Sequence, residues 1–279
     1  NNYIRVNTGN LVMSKSERKA VIYTSQQRSL YVGRTERVLK RVNVASTLLI
    51  SLEDELELLD RSDQTLHRSK SFLIPAGMDV SIDTHHAKVA MCFLNDVGTD
   101  LSALIPKMKQ SICFSNNDCL YSGLNVEQDI IQHKGFLCGS ETSSDEALMQ
   151  LASWIETSNY PSNFIVTDAR ISKAIEYIKQ HYSENISVDA IAKHVNLSVP
   201  RLVQLFKQIT GSPIRRFRQW HRIFTTAQKI SNGTSLTDAA IDSGFSDYAQ
   251  FSRTYRQFAG GSPAAARNNT DIRALAQCA

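Results

Sequence analysis

One pattern near the C-terminal end occurs twice, and it restricts the fold more than any other feature of the chain. Val188-Asp189-Ala190-Ile191-Ala192, followed by Asn196-Leu197-Ser198, recurs at an offset of 48 residues as Leu236-Thr237-Asp238-Ala239-Ala240, followed by Gly244-Phe245-Ser246. Further on, Leu202, Phe206, Lys207 and Gln208 match Phe251, Tyr255, Arg256 and Gln257 at an offset of 49. Both copies end in Ser-Pro, Ser212-Pro213 and Ser262-Pro263, at an offset of 50. Such drift is what single-residue turn insertions produce. Each copy has the layout of a helix-turn-helix. Close helix approach wants a small residue midway along the first helix, here Ala192 and Ala240. The turn then wants a residue that tolerates a left-handed backbone, and Asn196 and Gly244 are the types best suited to it. An apolar plug follows, Leu197 or Phe245, and then Ser198 or Ser246, which can cap the second helix.

Packing in a plain helical bundle accounts for Ala192, Leu197, Leu202, Phe206, Ala240, Phe245, Phe251 and Tyr255. It does not account for the long polar side chains that the second helices keep outward. These are Arg201, Gln204 and Lys207 in the first unit, and Ser246, Tyr248, Gln250, Arg253 and Arg256 in the second. Arginine and glutamine match the hydrogen-bonding edges of bases in the major groove of DNA. Charge agrees with that reading. Residues 1–165 carry 16 Lys+Arg against 19 Asp+Glu, net −3, whereas residues 166–279 carry 15 against 8, net +7. A basic module is the electrostatic footprint of a phosphate-backbone binder.

Between the units, Ser212 can cap a helix and Pro213 suits its first turn. The run Arg215-Arg216-Phe217-Arg218-Gln219-Trp220-His221-Arg222 is basic with interleaved aromatics. It reads as a rigid connecting helix. Phe217, Trp220, Ile223 and Phe224 face the packing, and Arg215, Arg216 and Arg218 face phosphates, contacts that position a protein without specifying sequence. Arg222 either joins them or ties the two units together through a buried ion pair.

The rest of the chain has a different texture. With 279 residues, 42% hydrophobic and 21% charged, the composition is globular and the length suggests two domains. No run of eighteen apolar residues suggests a membrane span, and Asn1–Asn10 lacks a signal layout, so a soluble cytoplasmic protein is expected. Short strands are expected at Val21–Thr24, Val44–Leu52, Glu55–Leu59, Ser71–Ile74, Val80–Ile82 and Ala87–Leu94, in the manner of a sandwich or small barrel. Helices are expected at Asp100–Gln110, Val126–His133 and Ser143–Thr157, the last with Ser143 and Glu146 at capping-box spacing. Asn159-Tyr160-Pro161-Ser162-Asn163 reads as a linker. The five cysteines, Cys92, Cys113, Cys119, Cys138 and Cys278, form no C-x-x-C pair and read as reduced structural thiols rather than a disulfide framework or zinc site.

The stretch Gly244-Phe245-Ser246-Asp247, then Phe251-Ser252-Arg253, Tyr255-Arg256, Gly260 and Ser262-Pro263, resembles the signature of the AraC/XylS transcription regulators. Asn196-Leu197-Ser198, Leu205-Phe206-Lys207 and Thr210-Gly211-Ser212-Pro213 fit as well, so the resemblance covers about residues 167–268. One departure is the absence of an aromatic residue shortly after the final Ser-Pro, where Ala266 precedes Arg267. The resemblance implies two recognition helices held by one connecting helix in successive major grooves. The first would present Pro200, Arg201, Val203 and Gln204, with thymine methyls as fitting partners for Pro200 and Val203. The second would present Asp247, Tyr248, Ala249, Gln250 and Arg253. It further implies transcription activation, RNA polymerase as a partner, and an N-terminal cupin-like β-barrel that binds a small effector, with helices for dimerisation. Arg68 to Gly77 is similar to a strand-turn stretch of such barrels.

The expected architecture is therefore α+β with two domains. Residues 1–160 form a cupin-like β-barrel with helices for effector binding and dimerisation, and residues 167–279 form an all-α DNA-binding domain with two helix-turn-helix units. Ser143–Thr157 and Val126–His133 either form a homodimer face, with Leu148, Leu151 and Ile155 as its apolar stripe, or pack onto the barrel. His85 and His86 are adjacent rather than spaced His-x-His, which disfavours a metal, and no cofactor or enzymatic activity is expected. The function expected is an effector-modulated activator that binds double-stranded DNA. The alternative is an effector-independent regulator whose N-terminal domain only dimerises or binds a protein.

Overall fold

The computed structural model describes residues 20–24, 28–35, 37–59, 66–94, 99–114, 118–132, 143–155, 168–259, 262–264, 266 and 270–274. The 159–163 linker, Cys138, Cys278 and the departure at Arg267 lie outside them. Twelve strands appear among the described residues: β1 (Ala20–Thr24), β2 (Ser29–Arg34), β3 (Val38–Val42), β4 (Thr47–Ser51), β5 (Leu56–Leu59), β6 (Leu66–Ser69), β7 (Ser71–Ile74), β8 (Asp79–Asp83), β9 (Lys88–Phe93), β10 (Met108–Cys113), β11 (Cys119–Leu124) and β12 (Thr270–Ala274). The eight-stranded sheet has the order β10-β11-β7-β4-β9-β2-β1-β12, and the four-stranded one β3-β8-β5-β6. The described strands form two sheets, and no closed barrel occurs among them.

Strand β4 separates two cores. Leu48 and Ile50 belong to one core cluster and Leu49 to the other, so the strand is buried on both faces. Side chains alternate along a strand, and a central strand covered on both sides therefore reads as a continuous apolar run. On one face Leu49 meets Leu58, Phe72, Ile82 and Met91, drawn from both sheets. On the other, Tyr23, Leu30, Leu48, Leu73 and Cys92 meet the helices α1 (Thr99–Leu104), α2 (Glu127–Gln132) and α3 (Ser144–Ile155) through Leu104, Ile130, Ala147, Trp154 and Ile155. The layers are helices, large sheet, small sheet.

Helix α3 begins as its sequence dictates, with the Glu146 carboxylate accepting from the Ser143 N–H at 2.9 Å and Ser143 Oγ accepting from the Glu146 N–H at 3.2 Å. Its last carbonyls, Trp154 O and Ile155 O, each accept from Lys107 Nζ at 2.7 Å. Burial holds the Lys107 ammonium below its usual pKa. Ile155 is packed in the core rather than lying on an exposed stripe, so this end of α3 packs onto the sheet; the side chains of Leu148 and Leu151 lie outside the description.

The expected helix at Asp100–Gln110 stops at Leu104. A 3-10 turn at Ile105–Lys107 carries Pro106, which cannot donate to a helical ladder, and residues from Met108 onward pair with β11 instead. That pairing sets Cys113 directly opposite Cys119, and the two are joined in a disulfide. This corrects the expectation of reduced thiols for those two, while Cys92 is free and buried. His85 and His86 occupy the β8–β9 turn with φ of 49° and 59°.

The second domain contains α4 (Ala169–Gln180), α5 (Val188–His194), α6 (Val199–Thr210), α7 (Ile214–Ser231), α8 (Leu236–Asp242) and α9 (Tyr248–Ala259). It meets the first domain at several points. Phe93 on β9 packs on Trp220 of α7 at a centroid distance of 4.8 Å, and Trp220 lies 6.1 Å from Phe258 of α9. The turn carrying Ala76 and Gly77 abuts Gly211, the left-handed residue that ends α6. Beyond the helices, β12 pairs in parallel with β1, Ala20 opposite Thr270, so residues 270–274 add to the first domain's sheet, a correction to the all-α expectation for residues 167–279. Among the described residues no helix is long and apolar enough to cross a membrane.

Candidate nucleic-acid interface

The two repeats fold into two equivalent units. In the first, Ser187 Oγ accepts from the Ala190 N–H at 3.0 Å and starts α5. In the second, Ser235 Oγ accepts from the Asp238 N–H at 3.1 Å and starts α8. Each turn carries a left-handed residue, Asn196 at φ 53° and Gly244 at φ 86°. The N–H of the apolar plug reaches back to the small helical residue in both: Leu197 to Ala192 O at 2.9 Å and Phe245 to Ala240 O at 3.1 Å. Gly244 has a second reason to be glycine. A Cβ there would lie 2.6 Å from the Ser183 carbonyl oxygen, in the loop after α4.

Helix α7 serves both cores. Ile214 and Phe217 join the cluster of Ile171, Ile178, Ile191, Leu202 and Phe206, with the Phe206 and Phe217 rings edge-on at 5.3 Å. Two turns later Ile223 packs with Ala240, Phe245 and Phe251. One stiff helix thus fixes the relative placement of α6 and α9.

The side chain of Arg218 is placed differently from expectation, and that of Arg222 takes the structural one of its two expected roles. Arg218 donates to Ile186 O at 2.7 Å and Glu184 O at 3.0 Å, and Arg222 donates to Tyr182 O at 2.8 Å and Glu184 O at 3.0 Å. Both guanidinium groups are half-buried, and burial lowers their pKa values. They tie the connecting helix to the loop between α4 and α5 through backbone carbonyls, not through an ion pair. The neighbouring His221 is held at a pKa of about 4, mainly by burial and then by Lys179.

Of the residues expected at the interface, Ser198, Pro200, Arg201, Gln204, Lys207, Arg215, Arg216, Ser246, Asp247, Gln250, Arg253 and Arg256 are exposed. Tyr248 is half-buried, its ring 6.1 Å from Phe251. Gln208 and Gln257, matched by the repeat but not assigned to the interface, are exposed on the same helices. The capping roles differ from expectation. Ser198 stands at the start of α6 without a side-chain cap bond, and in the second unit Asp247, rather than Ser246, accepts from the Gln250 N–H, at 2.6 Å. Ser212 precedes the α7 cap residue, Pro213, and its hydroxyl is buried without a partner. Arg201 lies near enough to Asp168 to contribute, after Arg170, to holding that carboxyl at a pKa of about 2. No group of three or more potential metal ligands occurs among the described residues.

Residues 191–269 match the model of a helix-turn-helix domain family. The chain is similar to the transcriptional activator RhaS of Escherichia coli, 29% identical over 132 residues, which are 47% of this chain and 48% of RhaS. It is also similar to an uncharacterized helix-turn-helix-type transcriptional regulator of Staphylococcus aureus, 24% identical over 119 residues, 42% of this chain and 16% of that protein. The chain thus spans about half or less of these relatives. In fold it is similar to ToxT of Vibrio cholerae: to an apo lysine-to-alanine variant with a TM-score of 0.58 at 11% identity, covering 88% of this chain and 98% of that one, and to ToxT of strain O395 with a TM-score of 0.55 at 15% identity, covering 86% and 96%.

Proposed function

Since the chain belongs to the AraC/XylS family of transcription regulators, we infer that it is a cytoplasmic, sequence-specific activator that reads two successive major grooves. The observation that carries this reading is the equivalence of α6 and α9, both projecting exposed arginine and glutamine from one connecting helix. Arg215 and Arg216, exposed at the start of α7, supply phosphate contacts. Arg218 belongs to the scaffold instead, since one donor on Nη1 and one on Nη2 already meet carbonyls.

The N-terminal domain, in this reading a cupin-like module of residues 1–160, binds a small effector and modulates the DNA-binding domain of residues 167–279. Support comes from the fold likeness to a ToxT structure bound to an unsaturated fatty acid, with a TM-score of 0.52. RNA polymerase and a second copy of the chain complete the proposed partners, and no catalytic role is proposed.

Selection of bound DNA from a random duplex pool, with the full chain at near-physiological salt, tests the reading. Two short boxes about one helical turn apart are expected. A single box removes one of the two units from base reading. A recovered motif, together with a thermal-shift screen in which no ligand raises the melting temperature, favours the effector-independent alternative.

A further inference from the structure

The reading of α6 and α9 as recognition helices leaves open what they recognise, and the inference here rests on that reading. At the offset of 49, Arg201 aligns with Gln250, Gln204 with Arg253, and Lys207 with Arg256. The same three positions, all exposed, therefore carry one arginine, one glutamine and a further cation in each helix. Arginine and lysine only donate hydrogen bonds. A glutamine amide both donates and accepts, which is what a bidentate contact to the N6 amino group and N7 of adenine demands.

At the aligned positions of both helices the glutamine carbonyl, of Gln204 or of Gln250, is engaged within the protein. Gln204 Oε1 accepts from Arg201 Nη1 at 3.0 Å. Gln250 Oε1 accepts from the Ser246 N–H at 2.8 Å and lies 3.2 Å from the Ser246 hydroxyl. A backbone N–H and a guanidinium can meet only the oxygen end of the amide, so both contacts leave the Nε2 donors for another partner. The one carboxylate in residues 198–210 and 246–259, Asp247, is engaged too. Its oxygens accept from the Gln250 N–H at 2.6 Å and the Ser246 hydroxyl at 3.1 Å. Beside these donors stand exposed apolar groups, Pro200 and Val203 in α6 and Ala249 in α9.

We propose that the three aligned positions of both recognition helices are donor-only readers, specifying guanine through N7 and O6 and thymine through O4 and its methyl group, and that neither Gln204 nor Gln250 reads adenine. The base edges that offer acceptors without an amino group are those of guanine and thymine, and a methyl suits the apolar neighbours. The two units thus read the same chemistry with the arginine and glutamine in opposite order.

The test uses the wild-type full chain and its best selected duplex, with each guanine in turn replaced by 7-deazaguanine and each adenine by 7-deazaadenine. These analogues remove the N7 acceptor and leave pairing intact. A loss of about tenfold or more is expected at a guanine in at least one box, and little change at any adenine. A tenfold loss at adenines with guanines indifferent overturns the proposal and leaves sequence-specific binding standing. Equal affinity for the selected and random duplexes removes the recognition-helix reading itself. As a second measurement, Gln250→Glu keeps an oxygen for Ser246 and turns the outward donor into an acceptor. Reselection with that variant is expected to change one position from guanine or thymine to adenine or cytosine, and an unchanged motif overturns the role given to Gln250.

Discussion

The ring of Phe93, the last residue of β9, lies 4.8 Å from that of Trp220, centroid to centroid, with the planes inclined at 51°. Phe93 belongs to the β-domain and Trp220 to the helix joining the two helix-turn-helix units, so this one ring pair couples the two domains. Tilted aromatic pairs contribute about 0.5–1.5 kcal/mol beyond the area they bury. In a double-mutant cycle of Phe93→Ala and Trp220→Ala, followed by urea unfolding, a coupling energy in that range is expected. Additive single effects would show that the rings pack independently.

A steric test of the same interface uses two glycines with nearly the same backbone angle. Gly77 has φ +91° and a Cβ there would collide with the carbonyl oxygen of Gly211, whereas Gly233 has φ +92° and nothing within 4 Å of its Cβ position. Gly233→Ala is expected to cost about 1 kcal/mol for the left-handed backbone alone. Gly77→Ala carries that cost and also forces the domains apart. A lower melting temperature than for Gly233→Ala, with faster proteolysis between the domains, is the expected result; equal melting temperatures would show that the contact yields freely.

Arginines of one helix divide into two jobs. Removing Arg216, exposed, is expected to reduce the slope of log affinity against log salt by about one, with similar losses on specific and random DNA. Arg218→Ala removes two bonds to the carbonyls of Glu184 and Ile186, and its main effect is expected on unfolding free energy, about 1–3 kcal/mol. A variant pair with these effects interchanged would reverse the assignment.

His221 gives the helical domain a pH dependence whose sign follows from burial. Its folded pKa is about 4, below the ordinary 6.5. Between those values the unfolded chain binds a proton that the folded chain does not, so stability falls as pH drops from about 6.5 towards 4. The loss is on the order of 3 kcal/mol. Urea midpoints measured near neutrality and at about pH 5 should differ in wild type and differ less in His221→Gln.

The helical domain was legible because its signals are local. Asn196 and Gly244 mark their turns by their own conformational freedom, and Ala192 and Ala240 by size. What the sequence could not reveal depends on partners distant along the chain. Arg216 and Arg218 are the same residue type on the same helix, and only the loop that brings Glu184 and Ile186 within reach separates them. Cys113 and Cys119 are unremarkable by spacing and become bonded because the β10–β11 register sets them opposite one another. Strand β10, with Lys109, Gln110 and Ser111 exposed at the edge of its sheet, lacks the apolar alternation that would announce a strand.

Strand β12 changes what kind of object the helical domain is. With Ala20 opposite Thr270, the sheet closes a chain loop of 250 residues, so the helical domain is an excursion that returns to its origin. Closing a flexible loop of that length costs about 5 kcal/mol of chain entropy. Folding and docking of both domains shorten that excursion and so lower the cost of adding the strand. Protection of the amides of residues 270–274 from hydrogen exchange therefore reports assembly of the whole molecule, like a clasp that closes most readily when both halves of the case are in place.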